Sequence, residues 1–261
     1  MSTPNSNFYS PPQVHPPLLD KLLRSPRQAV TIHALSQAAS LSIANVHEEL
    51  TRLTAAGCEL EIHPQLGVTL NRTGPASWTD YLQWRLGPHR PVVVFKQTAS
   101  TQDAAKRQLG FHGPAVHSCA VIADHQYAGR GRLGRTWAAT PGSAVTMSLI
   151  HVAAPASANQ PSSLSIDRLI FATAVAVAQG IEAAVNHQVK TSIKWPNDIQ
   201  IAGQKIAGIL VETVMLAGSR PAAVIGVGIN VGAAPDLSTI DPQRGQRTAT
   251  SLADQHQFVD R

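Results

Sequence analysis

The sequence predicts an α+β protein in two parts, an N-terminal winged helix-turn-helix followed by a larger domain with a mixed sheet. Three observations lead there: three helical patterns and a hairpin pattern crowd into residues 18–72, strand and helix patterns alternate from Val92 onward, and a Gly/Arg loop at Gln126–Trp137 sits between two strand-like runs. With 261 residues, 43% of them hydrophobic and 14% charged, the chain has the length for two domains and the composition for a folded core.

Residues 1–17 read as a disordered Pro/Ser/Asn tail without the pattern of a secretory signal. Leu18–Arg24 and Thr31–Ala39 are predicted as short helices parted by Ser25-Pro26, and Ser42–Ala56 as a third, with Ile43, Val46, Leu50 and Leu53 on one face and Gly57 as its stop. Cys58–Ile62 and Val68–Leu70 then pair as a hairpin around Pro64–Gly67. A recognition helix presents Arg, Lys, Asn or Gln to DNA. Here Asn45, His47 and Arg52 stand against Glu48 and Glu49, carboxylates that would repel a phosphate backbone if they faced it. Operator binding and a helix turned to another purpose both stay open.

Residues 73–91 read as a linker around a short helix with Trp78, Tyr81, Leu82 and Trp84, and the larger domain is expected over residues 92–261. It opens with a strand at Val92–Phe95 and a helix at Ser100–Leu109 that Ser100 can cap. Strands at Cys119–Ala123 and Ser143–Ile150 flank the Gly/Arg loop, the second with Val145, Met147 and Leu149 alternating, and Pro155–Ser163 is a further loop. Ile166–Val185 is so rich in Ala, Val and Ile that a buried central helix is expected. Asp167, Arg168, Gln179 and Glu182 interrupt it, so it is not a membrane span. Thr191–Lys194 reads as a strand, Trp195–Asp198 as a tight turn into Ile199–Ile201, and Lys205–Met215 and Ala222–Val227 as a hairpin turning at Gly218.

The loop reads QYAGRGRLGRTW. Glycines let backbone lie close to a ligand, and guanidinium forks bind phosphate or carboxylate oxygens in bidentate fashion. Arg and Gly together can also be a solvated segment that binds RNA without specificity. The flanking strands and the closing Trp137 favour an ordered loop closing over an anion. Charge agrees: residues 1–91 hold seven Lys/Arg against six Asp/Glu, whereas residues 92–261 hold fourteen against ten, so the excess suits a small anionic substrate at least as well as DNA. Cys58 and Cys119 lack a metal-ligand or redox spacing and read as reduced core residues of a cytoplasmic protein.

The loop resembles the biotin-binding loop of biotin protein ligases, usually GRGRRGR followed by a large aromatic. KWPND at Lys194–Asp198, KIAGILVE at Lys205–Glu212 and GVGINV at Gly226–Val231 follow in that family's order. Ser100-Thr101-Gln102 stands in the place of its Ser-Thr-Asn, so the resemblance runs from Val92 to about Val231. It implies a biotin ligase/lipoyl-ligase-like catalytic domain behind a winged helix-turn-helix of the bifunctional ligase/repressor type, forming biotinyl-5′-AMP from biotin and ATP with Mg2+. The biotin would then pass to a lysine of the biotin carboxyl carrier domain of acetyl-CoA carboxylase or a related carboxylase. Operator DNA and a homodimer are further partners the resemblance allows, and no membrane is expected.

Carried over residue by residue, the resemblance assigns Ser100, Thr101, Gln102, Gln126, Arg130, Arg132, Lys194, Gly208 and Leu210 to biotin. Arg132, Arg135, Trp137, Lys194 and Asn230 go to ATP, with Arg132 and Lys194 catalytic. No protein-borne metal site is assigned. Asp198 reads either as an indirect partner or as a turn residue. Joining a carboxylate to a phosphate needs cations that neutralise approaching oxygens, not a nucleophile or a triad, and the residue types agree. Three departures stand out: Gln102 replaces Asn, Leu133 replaces the middle Arg of GRGRRGR, and the chain stops at Arg261 where the family continues into a long helix and a small SH3-like domain. A C-terminally short catalytic domain is therefore expected. Two other readings stay beside this one: a DNA-binding biotin sensor without ligase activity, and a lipoyl or octanoyl transferase of the same fold, whose Arg-Arg-x-x-Gly-Gly-Gly loop is not seen here.

Overall fold

The computed structural model describes residues 14–157, 163–235 and 249–255, and divides into two compact units, Met1–Lys96 and Gln97–Arg261. Most of the expected tail, residues 1–13, lies outside the described residues. Its end is ordered rather than loose. Val14 is buried, and Pro16 and Pro17 open the first helix, where a missing N–H costs nothing.

The first unit runs α1 (Pro16–Leu23), α2 (Ile32–Ala39), α3 (Ile43–Ala55), β1 (Glu59–His63), β2 (Gly67–Arg72) and α4 (Trp78–Leu86), with β1 and β2 antiparallel. Three helices and a hairpin in this order are consistent with a winged helix-turn-helix. Thr31 and Ser42 cap α2 and α3 by accepting the N–H groups of Ala34 and Asn45, both at 3.2 Å. Leu18, Leu22, Leu35, Val46, Leu50, Leu53 and Val68 form the core, and burying each such side chain stabilises the unit by about 1.5–3 kcal/mol. Asp20 ties α1 to α4 by accepting the Tyr81 hydroxyl at 2.9 Å. Burial pushes its carboxyl up, but the hydrogen bonds from Arg24 and Tyr81 outweigh that and hold it below the ordinary range.

One face of α3 differs from its sequence pattern. Ile43 is 53% exposed, and Glu49 is buried instead at 3%. The reason is polar: the Glu49 carboxylate accepts the backbone N–H of His15 and a hydrogen bond from Arg52 at 3.2 Å, so it closes the start of α1. Of the adjacent acids only Glu48 is exposed.

The seven-stranded sheet, whose strands belong to the second unit except for the part of β3 before Gln97, has the order β3 (Val92–Thr98), β4 (Ala120–Gln126), β5 (Ala144–Val152), β9 (Arg220–Asn230), β8 (Gln204–Leu216), β7 (Asp198–Ile201) and β6 (Thr191–Lys194). From β4 to β6 each neighbouring pair is antiparallel. Helix α6 (Ile166–Ala184) packs Ala174, Ala178 and Ile181 on the sheet face that carries Val145, Leu149, Ile209 and Ile225. It is not the fully buried helix its composition predicts. Phe171 is 55% exposed and Ala172, Ala176 and Ala183 are exposed, because one sheet face covers only one stripe of a helix. Helix α5 (Thr101–His112), capped by Ser100 Oγ on the Gln102 N–H at 3.2 Å, contacts the opposite face through Ser148 and Glu212. Helix α7 (Leu252–Gln255) is short. Among the described residues no helix is long and apolar enough to cross a membrane.

The two acids of α3 should separate cleanly on substitution. Glu48→Lys is expected to leave urea unfolding of the first unit within about 0.5 kcal/mol of the parent. Glu49→Lys should cost about 3–5 kcal/mol, since it strips an acceptor from the part-buried His15 N–H and places an unpaired charge at a buried position. Equal midpoints for the two variants would contradict the assigned role of Glu49.

Candidate active site

The site lies on the sheet face under α5, and cross-strand register explains its shape. Thr146, Gly228 and Gly208 stand opposite one another across β5, β9 and β8, and Ser148, Gly226 and Leu210 form the next row. Directly opposed residues share a face. This makes a floor of small side chains, and two larger groups descend onto it. A Cβ on Gly228 would lie 2.3 Å from Trp137 Cε2, and one on Gly208 would lie 3.2 Å from Trp137 Cζ3, so the indole rests almost on strand backbone. Its Nε1 is buried without a hydrogen-bond partner among the described residues, and Lys205 Nζ sits 5.7 Å from the ring centroid.

The Gly/Arg loop is a folded hairpin. Trp137 N–H donates to Gly129 O at 2.9 Å, Gly131 N–H to Arg135 O at 2.7 Å, and Arg130 and Thr136 bridge. Leu133, at its tip, is 85% exposed with φ +56°. The position that departs from GRGRRGR therefore faces solvent. Asp124, Gln126, Trp137, Thr140 and Thr146 are among the residues that line a cleft beside the loop.

The loop arginines have different neighbours. Arg130 Nη2 contacts Asp103 at 2.7 Å and Glu212 at 3.0 Å, and Glu212 also takes Lys106 Nζ at 2.9 Å. Two cations and two carboxylates nearly cancel, so Arg130 anchors the loop to α5 and β8 rather than offering free charge. Burial raises the Glu212 carboxyl, but Lys106, Arg130 and the Gln102 amide together hold it below the ordinary carboxylate range. Arg132 is exposed and donates to Asn197 Oδ1 at 2.9 Å, while Asn197 Nδ2 donates to Ile209 O at 2.9 Å. Lys205 pairs with Asp198 at 2.6 Å, which makes Asp198 more than a turn residue.

Among the residues singled out in the sequence, Thr101, Gln102 and Gln126 come together, joined by Ser148. Thr101 N–H donates to Gln126 Oε1 at 2.6 Å, and Ser148 Oγ lies 2.9 Å from both Thr101 Oγ1 and Gln102 Oε1. Gln102 turns inward, its amide nitrogen 2.9 Å from Glu212. Ser100 is buried at the helix cap, and Leu210 offers its carbonyl to Gln102 at 3.4 Å. Asn230 donates to Thr250 O at 3.0 Å and keeps a buried Oδ1 without a partner among the described residues. Lys194 is exposed at the end of β6, and no side-chain contact links it or Arg135 to the group. Sequence reasoning passed over Glu212 and Lys205, although they bracket KIAGILVE, and over Asn197 inside KWPND. Ser148 carried no signal, being one serine in a strand.

Residues 94–230 match the model of the biotin/lipoate A/B protein ligase family. The bifunctional ligase/repressor BirA of Bacillus spizizenii is 31% identical over 241 residues, spanning 90% of this chain and 70% of that protein. The biotin–[acetyl-CoA-carboxylase] ligase of Mycobacterium tuberculosis is 35% identical over 167 residues, spanning 63% of this chain and 56% of its own length. A biotin protein ligase from Aquifex aeolicus, solved with biotin and ATP, aligns with a TM-score of 0.48 at 26% identity over 64% of this chain and 61% of that one. With a family model that covers more than half its length and a relative matched along nine-tenths of it, the chain belongs to the biotin/lipoate A/B protein ligase family.

Proposed function

We propose that the chain joins biotin to ATP, releasing pyrophosphate, and then passes the biotinyl group to a lysine of a carboxylase carrier domain. Family membership supports this, with relatives named as biotin ligases. The observation that carries it is on one loop: Gln126 meets the buried polar group under α5, and Arg132 is held outward on Asn197 as a free-facing cation. A neutral polar ring at one end and a carboxylate at the other fit that layout.

In the first step a carboxylate oxygen of biotin forms a bond to the α-phosphorus and the bond to the pyrophosphate oxygen breaks. Arg132 and Lys194 would neutralise oxygens that gain charge there, Arg135 would face the phosphates, and Trp137 and Asn230 would lie against the nucleotide. In the second step a lysine amine forms an amide to the acyl carbon, losing a proton, and AMP leaves. Mg2+ would be expected with the triphosphate, bound through its phosphate oxygens. The two buried free cysteines fit a cytoplasmic setting.

For the first unit we propose weak DNA binding at most. The exposed face of α3 offers Asn45 and His47, but the Arg52 guanidinium is shared by Glu49 at 3.2 Å and Glu48 at 3.9 Å. Anisotropy with duplex DNA should show salt-sensitive affinity no tighter than about 1 μM. A sequence-specific nanomolar complex would refute this and favour a repressor.

Arg132→Ala is expected to cut biotin-dependent pyrophosphate release about 10²–10³-fold, the loss typical of one aimed transition-state donor, with unchanged thermal unfolding. Unaltered release would sink the assignment, and equal release with octanoate or lipoate in place of biotin would favour the lipoyl-type reading. Gly228→Ala should expel Trp137 from its slot, changing tryptophan emission and raising the nucleotide KM by about tenfold, which corresponds to about 1.4 kcal/mol. An Ala at 228 with parental emission and KM would show that the slot plays no part in nucleotide binding.

A further inference from the structure

We propose that the α1–α4 face of the first unit, centred on Arg24, Arg85 and Trp84, binds single-stranded nucleic acid. This surface is distinct from α3 and the hairpin, and its role is independent of the ligase reading.

Charge within the unit is unevenly divided. Residues 16–29 and 75–91, which hold α1 and α4, carry five Lys/Arg against two Asp/Glu, while residues 43–72, which hold α3 and the hairpin, carry two against four. The helix that a helix-turn-helix lays in the major groove is therefore in the part that repels phosphate. A polyanion is drawn to α1 and α4 instead.

Contacts bring the side chains of that face together. Asp20 accepts Arg24 Nε at 2.6 Å, the Tyr81 hydroxyl at 2.9 Å and Arg85 Nη1 at 3.4 Å. Two guanidiniums thus share a single carboxylate, and one positive charge is left over. The Asp20 side chain is 15% exposed whereas those of Arg24 and Arg85 are 64% and 47% exposed, so the cations and not the carboxylate face solvent. Tyr81, Trp84 and Arg85 stand at i, i+3 and i+4 on α4 and share one face. The Trp84 ring lies 6.0 Å from the Tyr81 ring and 6.0 Å from Arg85 Cζ, and the residue is 45% exposed.

A brace between α1 and α4 needs the carboxylate, the Tyr81 hydroxyl and one guanidinium. The second guanidinium and the open indole go beyond that need, and together they match a nucleotide: phosphate pairs with a guanidinium while the adjoining base stacks on an aromatic face. A duplex hides its base faces inside the stack, so the single strand is the form that can use Trp84.

The test is fluorescence anisotropy of labelled oligo(dT) and oligo(rU) of about 20 nucleotides, longer than one binding site, with the full chain and its variants at two salt concentrations. Both strands should bind in a salt-sensitive way, and more tightly than a duplex of the same length. A preference between them supports the proposal and tells RNA from DNA. Trp84→Ala should weaken binding about tenfold and Trp84→Phe should retain most of it, whereas Arg85→Gln should weaken it about tenfold and flatten its salt dependence. Trp84→Phe and Arg85→Gln decide the matter if Trp84→Ala does not fold. No binding of either strand would overturn the proposal, as would tighter binding of the duplex. Binding that is unmoved by the Trp84 and Arg85 variants but strengthened by Glu48→Lys would place the polyanion on α3 and also overturn it. Trp84-dependent capture by phosphatidylglycerol vesicles, with neither oligonucleotide bound, would overturn it in favour of a lipid surface.

Discussion

The active face depends on how closely side chains can approach the backbone of β9. Gly226 and Gly228 alternate on the strand that lies between β5 and β8, and each is flanked in register by a residue of the same face. A methyl group at either would meet Gln102 or Trp137. Without that bare backbone Gln102 could not reach Val224 O and Leu210 O, and Trp137 would have no seat. The loop hairpin ends at Trp137, so its resting position follows from the same constraint.

Charge is arranged with similar economy. Lys106, Arg130, Arg132 and Lys205 stand on or beside this face, and their mutual repulsion in a partly buried place would destabilise the fold if it were unmatched. Arg130 and Lys106 are matched by Asp103 and Glu212, and Lys205 by Asp198. Arg132 is held by a neutral amide instead. A carboxylate partner would cancel its field, whereas the neutral Asn197 amide holds the guanidinium without doing so. The Glu212 carboxyl is held below its ordinary range, so its ion pairs to Lys106 and Arg130 are retained as pH falls until Glu212 itself protonates.

Much of this was legible in the sequence, for reasons that differ between elements. The order of helices and strands followed hydrophobic period and turn residues, and the Gly/Arg loop announced itself by composition. Ser100 as a cap and Gln126 at a strand end were placed by the same local rules. Glu49 and α6 were misread because period and composition cannot say what lies opposite. A glutamate on an apolar face is buried when an N–H from another helix start needs an acceptor, and an apolar helix stays half exposed when only one sheet face covers it. That Asp103 and Glu212 stand beside Arg130 could not be read from the sequence, since both lie far from it in the chain. Ser148 could not be found at all: its contacts are with Thr101 and Gln102, 47 and 46 positions away in the chain.

A single strand collects these arrangements. Glu212 on β8 holds Arg130, Ile209 on β8 pins the Asn197 amide that aims Arg132, and Lys205 at the start of β8 lies over Trp137. The Asn197 amide has only one sense: Ile209 O can only accept, so it takes Nδ2, and the Arg132 guanidinium can only donate, so it takes Oδ1. Side chains on a paired strand move less than those on a loop, because the ladder fixes their backbone on both sides. The Gly/Arg loop is thereby given its reference points from a rigid strand, and the motif KIAGILVE, apolar to the eye, belongs to this face through its backbone and the two charged ends that it carries.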